Sequence, residues 1–411
     1  MFVCVCSIAV KLLGVAYMNS YLAWNLVPPD TRSVYRPLAL SLANGTGYQL
    51  GGDPRAATRV APGFPVYLAA VYRASGDDAP VWLLGVLNAF MRAGITCLVY
   101  LLALRAFGAA PALFAGLVHA IDPWEAFWSA FVLKESLAVL LSIAAIALVA
   151  RTLSSRSFVP GIFAGLAIAA ASLMRYATLG LFAWTLLLLA WCAWRRLVDV
   201  RAAVRIAGAI TLGVFVGLSP WLLRNRAVLG VPVVYTQAGY YLFVSNGPGT
   251  EKKIDTWGYS GLSTADVRKA EAIAGQHRGV VDRDSAFFRE AIGHIVSHPL
   301  DAAALVVGRF VNMWRPTFEG ASPANIVILG GWFCVFAVAS IAGLVQAPQV
   351  VAVDGRDTVR VLYWAVLFYV LLHAAFWSEI RYRQYATPIL AVFAGVALSM
   401  VRDRFTQPRA I

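Results

Sequence analysis

The chain has 411 residues and a composition that excludes an ordinary soluble globular domain: 60% of the residues are hydrophobic, 13% are charged, and the mean hydropathy is +0.70. The net charge of +13 is not gathered into a basic patch interleaved with aromatic residues, so nucleic acid is not an expected partner. We therefore expect a polytopic membrane protein whose surroundings are membrane lipids.

Ten apolar windows follow one another along the chain, most of them within the roughly 17 to 25 residues that a membrane-crossing helix needs. They predict helices at 2–23, 80–104, 107–121, 130–150, 158–174, 177–194, 206–223, 324–345, 359–376 and 385–401. The predicted fold is therefore all-α, with about ten transmembrane helices. All five cysteines lie inside these windows, which argues against a disulfide framework or a zinc knuckle.

The polar stretch 24–79 separates the first two windows and is the longest gap in the N-terminal half. It holds Asp30, Tyr35 and Arg59, followed by a predicted proline turn at 62–65. Long polar loops beside a membrane are more often functional than connective. A carboxylate and a guanidinium beside a bilayer indicate chemistry on a lipid-borne anion.

Arginines crowd the short links on one side of the predicted bundle. They are Arg105, Arg151, Arg156, Arg195, Arg196, Arg201, Arg205, Arg356, Arg360, Arg402, Arg404 and Arg409. Under the positive-inside rule this side is cytoplasmic. Both termini then lie inside, and the loops 24–79, 122–129, 175–176, 224–323 and 377–384 lie outside. Since arginine far outnumbers lysine, as in GC-rich bacterial genomes, we expect a multi-pass protein of the bacterial cytoplasmic (inner) membrane.

The predicted outer face carries charges of both signs near the ends of the spans. The carboxylates are Asp30, Asp122, Glu125, Glu135 and Glu379. The cations are Arg59, Arg175, Arg224, Arg226, Arg315, Arg381 and Arg383. A single arginine of this kind is equally well explained by snorkelling to lipid phosphates. Seven of them predict a cradle for phosphate or pyrophosphate, because the guanidinium fork matches phosphate oxygens.

The segment 224–323 is the second sizeable extramembrane piece. Residues 264–298 have helical spacing with many charges, and Asp301–Trp314 is predicted to form an amphipathic helix on, or dipping into, the outer surface, with an eleventh span as the alternative. We expect three regions: an N-terminal transmembrane catalytic module (1–223), an external helical region (224–323), and C-terminal transmembrane helices with a short cytoplasmic tail (324–411).

No cofactor is expected and the sequence does not indicate a dependence on metal, but a divalent cation is left open as an alternative. Glu290, His294 and His298 recur every four residues on one helix face, which resembles metal-ligand spacing, but a fourth ligand is not evident. The interpretation that fits better is a charged surface helix.

The run Pro220-Trp221-Leu222-Leu223-Arg224-Asn225 resembles the PW-x-x-RN signature of polytopic GT-C glycosyltransferases, which include protein O-mannosyltransferase-like and lipid A aminoarabinose transferase-like enzymes. Further segments similar to those of the family occur before and after this run, in the expected order, over essentially the whole chain. They are Asp30 to Tyr35, Gly45 to Tyr48, Arg59 to Pro65, Asp122-Pro123, Glu135, Arg175, Gly239 to Leu242, His298-Pro299, Trp314 to Pro316, and Arg381 to Arg383.

This resemblance implies a helical membrane bundle that moves a sugar from a polyprenyl-phosphate donor to a hydroxyl of a glycan, lipid or protein acceptor. Transfer is expected with inversion, on the external, periplasmic side. Asp30 matches the catalytic carboxylate of the first external loop and is the predicted general base. Thr31 follows it where many mannosyltransferase relatives have Asp-Glu, which counts against strict protein O-mannosylation.

The remaining site residues are assigned from the same resemblance and from their place at the outer span ends. Glu135 and Asp122 are the further catalytic candidates. The donor phosphate is expected to contact Arg59 first, and then Arg381, Tyr382, Arg175 and Arg224. The acceptor or sugar is expected to contact Tyr35, Glu125 and Trp124.

Two alternatives are left open. A lipid or polysaccharide transporter, or flippase, needs ionisable residues near the middle of the membrane, and only Lys11 and Arg92 are predicted there. An inactive family member that acts as an assembly partner is the other alternative, and the presence of Asp30 weighs against it.

Overall fold

The computed structural model describes residues 1–22, 26–77, 79–247, 264–277 and 279–406. Within these ranges every regular element is helical, apart from one isolated β-bridge between Leu50 and Asp53. The all-α prediction is confirmed.

The helices of the N-terminal half are α1 (Phe2–Leu22), α2 (Arg36–Ala43), α3 (Gly63–Ser75), α4 (Val81–Phe107), α5 (Ala109–Ile121), α6 (Pro123–Ser129), α7 (Glu135–Ser155), α8 (Phe158–Met174), α9 (Gly180–Trp194) and α10 (Val200–Leu229). Those of the C-terminal half are α11 (Ala238–Asn246), α12 (Thr264–Gln276), α13 (Val280–Ser297), α14 (Pro299–Met313), α15 (Pro323–Asn325), α16 (Trp332–Val350), α17 (Arg356–Ala375) and α18 (Thr387–Thr406).

Seven spans in the described residues are long and apolar enough to cross a membrane, and α13 with α14 is an eighth candidate, bent by 103°. A helix coincides with each of the ten predicted windows, but the number of crossings stays a prediction. The 13 residues of α5 cover only about 20 Å, against a hydrocarbon core of about 30 Å. The protein is therefore a multi-pass helical membrane protein with at least one helix too short to cross unaided.

The stretch 24–79 is more ordered than a loop, since it contains α2 and α3. The predicted turn at 62–65 is wrong: Pro62 is the N-cap residue of α3, and a proline is well tolerated in the first turn of a helix. The helix predicted at 130–150 also starts later, at Glu135. The Val132 N–H instead donates to the Leu26 carbonyl over 2.9 Å, which holds the link 130–134 against the stretch that carries Asp30.

Close packing of small residues joins α8 to α10. A Cβ atom added at Gly165 would lie 2.1 Å from the Ile210 carbonyl oxygen, and one added at Gly213 would lie 2.2 Å from the Ile162 carbonyl oxygen. Glycine at both positions therefore lets the two backbones touch, as in other membrane helix pairs. This contact fixes α10, which contains the Pro220–Asn225 motif.

The arginine-rich links lie together at one end of the bundle. Arg156 pairs with Asp357 at 3.2 Å, and Arg205 donates to the Arg156 carbonyl over 2.8 Å. The Ala352 N–H donates to the Ala106 carbonyl over 3.0 Å, which brings the link after α4 to the same place. The links predicted to share the cytoplasmic side therefore do meet.

The segment predicted as an amphipathic helix at 301–314 is α14. Leu300, Val307 and Val311 are exposed along it, whereas Asn312 and Met313 are buried. Arg309, which interrupts the apolar sequence, donates to the Asn246 side chain over 2.9 Å and to the Ala375 carbonyl over 2.9 Å. The charge therefore caps the carbonyl end of α17 instead of facing water.

Two of the five cysteines form a single pair, which is not a framework. Cys4 of α1 and Cys97 of α4 form a disulfide, with Cα atoms 6.0 Å apart. Both lie in apolar helices, and sequence spacing carries no information on which faces of two membrane helices meet. Cys6, Cys192 and Cys334 are free.

Candidate functional site

Asp30 lies after α1 and caps the helical turn that follows it. Its Oδ1 atom accepts a hydrogen bond from Thr31 N–H over 2.9 Å, while the residue stays exposed. The Thr31 hydroxyl donates to the Val132 carbonyl over 3.0 Å. These two bonds hold an accessible carboxylate beside the link 130–134.

Lys134 is the cation that this link supplies. Its Nζ donates to the Tyr35 hydroxyl over 2.6 Å and lies 5.0 Å from the centre of the same ring. Burial by itself would lower the pKa of Lys134, but the neighbouring Tyr35 and Glu135 raise it above its usual value. The side chain is therefore a fixed positive charge.

Glu135 and Arg175 form the next layer. The Glu135 side chain is 1% exposed, and its Oε1 lies 3.9 Å from Arg175 Nη1. The Arg175 guanidinium stacks 3.8 Å from the centre of the Tyr382 ring and 5.3 Å from that of Tyr385. Glu135 Oε2 and Arg175 Nη1 are buried and lack a hydrogen-bond partner, so this layer keeps unused capacity for a polar ligand.

Arg381 is the third cation near Asp30. It forms an ion pair with Glu379, in which Arg381 Nε lies 2.6 Å from Glu379 Oε2. Burial by itself would lower the pKa of Arg381. It is instead held well above its usual value by four neighbours whose anionic forms attract it: Tyr382, Glu379, Glu135 and Asp30. The charge of the Asp30 carboxylate therefore acts on Arg381.

These side chains make one mixed-charge group, which we call the Asp30 cluster. Its members are Asp30, Tyr35, Lys134, Glu135, Arg175, Glu379, Arg381 and Tyr382. The sequence predicted six of them as site residues and Glu379 as an outer carboxylate. The sequence prediction missed Lys134, although it lies next to Glu135, which was selected near the start of the same window; this position was the signal that could have identified it.

Arg224 has a different environment from the one predicted for it. Its Nη2 donates to the carbonyls of Tyr48 and Pro54, over 2.8 and 2.7 Å, and its guanidinium lies 5.1 Å from the Trp221 ring centre. It therefore ties the stretch 24–79 to the end of α10. Arg59 is exposed at the end of a short 3-10 turn, and no contact in the described residues joins either arginine to Asp30.

Asp122, Trp124 and Glu125 lie in a second, buried cluster. Arg92 pairs with Glu125 at 2.6 Å and donates to the Gln384 side chain over 2.5 Å. Lys11 belongs to the same cluster and donates to the carbonyls of His119 and Ala120, over 2.9 Å each.

Neither Asp122 nor Trp124 is open to a ligand. Asp122 accepts from the Trp124 backbone N–H over 2.9 Å, and burial together with the charge of Glu125 raises the pKa of Asp122 to about 7. Trp124 is 4% exposed, donates to the Leu329 carbonyl over 3.0 Å, and has Arg383 stacked 4.2 Å from its ring centre. The structure does not bring these residues to Asp30. Gln384 connects the two clusters, because it lies in the same 3-10 turn as Arg381.

The described residues contain no group of three side chains placed to hold a metal ion. Glu290 instead pairs with Lys269, and the rings of His294 and His298 stack with centres 4.4 Å apart.

A family model described as dolichyl-phosphate-mannose-protein mannosyltransferase matches residues 62–273. No curated protein sequence matches the chain significantly. Among solved structures, the chain is similar to the archaeal oligosaccharyltransferase AglB from Archaeoglobus fulgidus in complex with an inhibitory peptide and a dolichol-phosphate, with a TM-score of 0.58 and 14% identity over 98% of this chain and 50% of AglB. The apo form of the Archaeoglobus fulgidus oligosaccharyltransferase gives a TM-score of 0.56 and 14% identity, with the same coverage.

ArnT from Cupriavidus metallidurans bound to undecaprenyl phosphate is also similar, with a TM-score of 0.38 and 12% identity over 96% of this chain and 78% of ArnT. The chain spans about half the length of the oligosaccharyltransferase structures that it matches, and the similarity to them is one of fold. The family model, by contrast, covers just over half of the 411 residues. The GT-C resemblance is thereby confirmed, and the chain belongs to the dolichyl-phosphate-mannose-protein mannosyltransferase family.

Proposed function

We propose that the protein transfers a sugar from a polyprenyl-phosphate donor to an acceptor hydroxyl, with inversion, on the outer side of the bacterial cytoplasmic membrane. The observation that carries this proposal is the accessible carboxylate of Asp30, within electrostatic range of Arg381 and beside Lys134. Membership of the mannosyltransferase family, and the dolichol-phosphate bound to AglB, support the donor class.

The chemistry assigned to Asp30 is general base catalysis. The acceptor oxygen attacks the anomeric carbon, its proton passes to Asp30, and the bond between the anomeric carbon and the phosphate oxygen breaks with its electron pair on the phosphate. The leaving group is already an anion, so a strong general acid is not required. Fixed cations in a water-poor site stabilise the departing phosphate most effectively when they are positioned in advance.

Arg381, Arg175 and Lys134 are the cations that we assign to the phosphate. Glu379 neutralises part of the charge of Arg381, whereas Arg175 Nη1, 3.9 Å from Glu135, has no hydrogen-bond partner. The Tyr382 ring, whose centre lies 3.8 Å from the Arg175 guanidinium, orients it. The buried carboxylate of Glu135, whose Oε1 lies 3.9 Å from Arg175 Nη1, positions the Arg175 guanidinium.

The other predicted residues receive supporting roles. Arg224 anchors the stretch that carries Asp30, and Arg59, exposed on that stretch, stays a prediction for the donor. Glu125 acts through Arg92 and Gln384, which hold the 3-10 turn at Ile380–Tyr385 in place, and Asp122 caps α6, which carries Glu125.

A transfer assay tests the proposal. Purified protein in nanodiscs is given polyprenyl-phosphate hexoses and a mixture of glycan, lipid and peptide acceptors, and the product linkage is read by NMR. We expect sugar to leave the polyprenyl phosphate and the product to carry the anomeric configuration opposite to that of the donor. Retained configuration would contradict the mechanism, and absence of transfer from every polyprenyl-phosphate donor would contradict the function.

A further inference from the structure

The polar face of α14 points into the protein. Leu300, Val307 and Val311 share one helix face and are exposed. Arg309 and Asn312 lie on other faces of the helix; the first is half-buried and the second is buried. This is the reverse of a surface helix on a soluble protein, whose polar face meets water. The polar side chains of α14 therefore find their hydrogen-bond partners inside the protein.

Arg309 donates to four acceptors on two other parts of the chain. It reaches the Asn246 side chain over 2.9 Å and the Ala375 carbonyl over 2.9 Å. It also donates to the Ser245 carbonyl and, over 3.4 Å, to the Ala374 carbonyl. The last turn of a helix leaves carbonyls without partners and favours a cation, and Ala374 and Ala375 are the last two residues of α17. Arg309 therefore fixes the place where α17 ends.

The same helix also holds the chain that follows α17. Asn312 donates to the Ser378 carbonyl over 3.1 Å, and the Ser378 hydroxyl donates back to the Arg309 carbonyl over 2.7 Å. Residues 376–379 form no regular secondary structure of their own. The path of this segment is therefore set by its bonds to α14 and not by a helical hydrogen-bond ladder.

This segment carries the ion-pair partner of Arg381. The Trp377 indole N–H donates to Glu379 over 3.0 Å, and Glu379 Oε2 lies 2.6 Å from Arg381 Nε. Glu379 directly follows Ser378, the residue that α14 holds. A change in the path of 376–379 therefore moves Glu379, and the Arg381 guanidinium moves with it.

We propose that Arg309 is a positioning residue of the sugar transfer: it fixes the segment 376–379 and thereby sets the place at which Arg381 meets the donor phosphate. The inference rests on the function proposed above, in which Arg381 binds that phosphate. Arg309 itself touches no substrate. Its effect is transmitted by geometry, because misplacement of a contact by about 1 Å can cost about a hundredfold in rate.

Donor affinity in a set of variants tests the inference. The full-length protein in nanodiscs is titrated with polyprenyl phosphate. Arg309→Ala should weaken binding about tenfold, and Arg309→Lys should recover most of the affinity, because an ammonium can still donate to the carbonyls that end α17. Ser378→Ala removes one hydrogen bond and should weaken binding about two- to fivefold. Arg289→Ala is the matched control, an exposed arginine of α13, and should bind as the wild type does.

A double variant separates positioning from a general loss of stability. Adding Arg309→Ala to Arg381→Ala should weaken donor binding little further, because the contact that Arg309 positions is already absent. Additive losses in the double variant, or unchanged donor affinity in a well-folded Arg309→Ala variant, would overturn the inference. Where Arg309→Ala does not fold, wild-type affinity in Ser378→Ala would overturn it.

The inference and the function fail in different ways. Weaker donor binding by Arg381→Ala but not by Arg309→Ala would overturn the positioning role and leave the transferase intact. Amide hydrogen exchange is measured in the same variants without donor. Faster exchange at 376–385 in Arg309→Ala than in Arg289→Ala, in a protein that accepts no polyprenyl-phosphate donor, would overturn the transferase and leave Arg309 as the residue that holds this segment.

Discussion

At the scale of single residues, the Asp30 cluster divides its charges by accessibility. Asp30 is exposed and Glu135 is buried, so only the first is reachable by an acceptor hydroxyl. Lys134 is held by Tyr35, and Arg175 is held by Tyr382. Neither aromatic partner neutralises the positive charge of the side chain that it holds. This difference in exposure agrees with two separate roles: Asp30 exchanges a proton, and Glu135 positions the cations.

Arg381 is predicted to contact the donor phosphate in both the ground state and the transition state. The Arg381→Ala variant should therefore bind polyprenyl phosphate more weakly and also turn over more slowly, with about a hundredfold loss in kcat/KM, as expected for removal of one preorganised charge. Isothermal titration with polyprenyl phosphate and steady-state kinetics measure the two effects. Arg226→Ala is the matched control, an exposed arginine at the end of α10. An Arg381→Ala variant with unchanged donor affinity would remove it from the phosphate site.

The position of individual charges was only partly predictable from the sequence. Asp30, Glu135, Arg175 and Arg381 were identified because each flanks an apolar window. Arg224 also flanks an apolar window, but its guanidinium donates its hydrogen bonds to backbone carbonyls of the stretch 24–79. Sequence position tells which end of the bundle a charge occupies, but not which partner it meets there.

At the scale of elements, short aromatic helices were the hardest to anticipate. The segment 122–129 was interpreted as an outer loop, but it forms α6, capped by Asp122. Its tryptophans at 124 and 128 pack inward because large rings gain more from burial than from a surface position. This inward packing buries Asp122 and Glu125, whereas Asp30 stays exposed.

The contact between α8 and α10 gives a prediction at the same scale. Gly165→Leu places a side chain where the Ile210 carbonyl lies, so the helices must separate, and overpacking of this kind costs about 1–3 kcal/mol or more. The midpoint of thermal unfolding in detergent should fall by several degrees. Gly208→Leu is the control, because a Cβ atom at Gly208 meets nothing within 4 Å. Equal midpoints for the two variants would show that the close contact does not limit stability.

At the scale of the whole molecule, the account depends on sidedness. The arginine-rich links meet at one end, which follows the sequence prediction, and the positive-inside rule predicts that this end is cytoplasmic. Membrane-impermeant maleimide tests the orientation in intact cells, with the wild type as the baseline. Asp53→Cys should be labelled directly, and Arg195→Cys only after permeabilisation. The reverse pattern would place the Asp30 cluster on the cytoplasmic side.

The central claim is that Asp30 is the base of a sugar transfer, and one comparison tests it most directly. Asp30→Asn keeps the size of the side chain and the acceptor for Thr31 N–H, but removes the basic carboxylate. Loss of a positioned base costs about 10²- to 10⁴-fold in rate, so kcat should fall by that factor while donor affinity and thermal stability stay close to those of the wild type. Asp53→Asn, in the same stretch and equally exposed, should transfer sugar at the normal rate. Full activity in a well-folded Asp30→Asn variant would contradict the account, because the acceptor proton would then be removed without the Asp30 carboxylate.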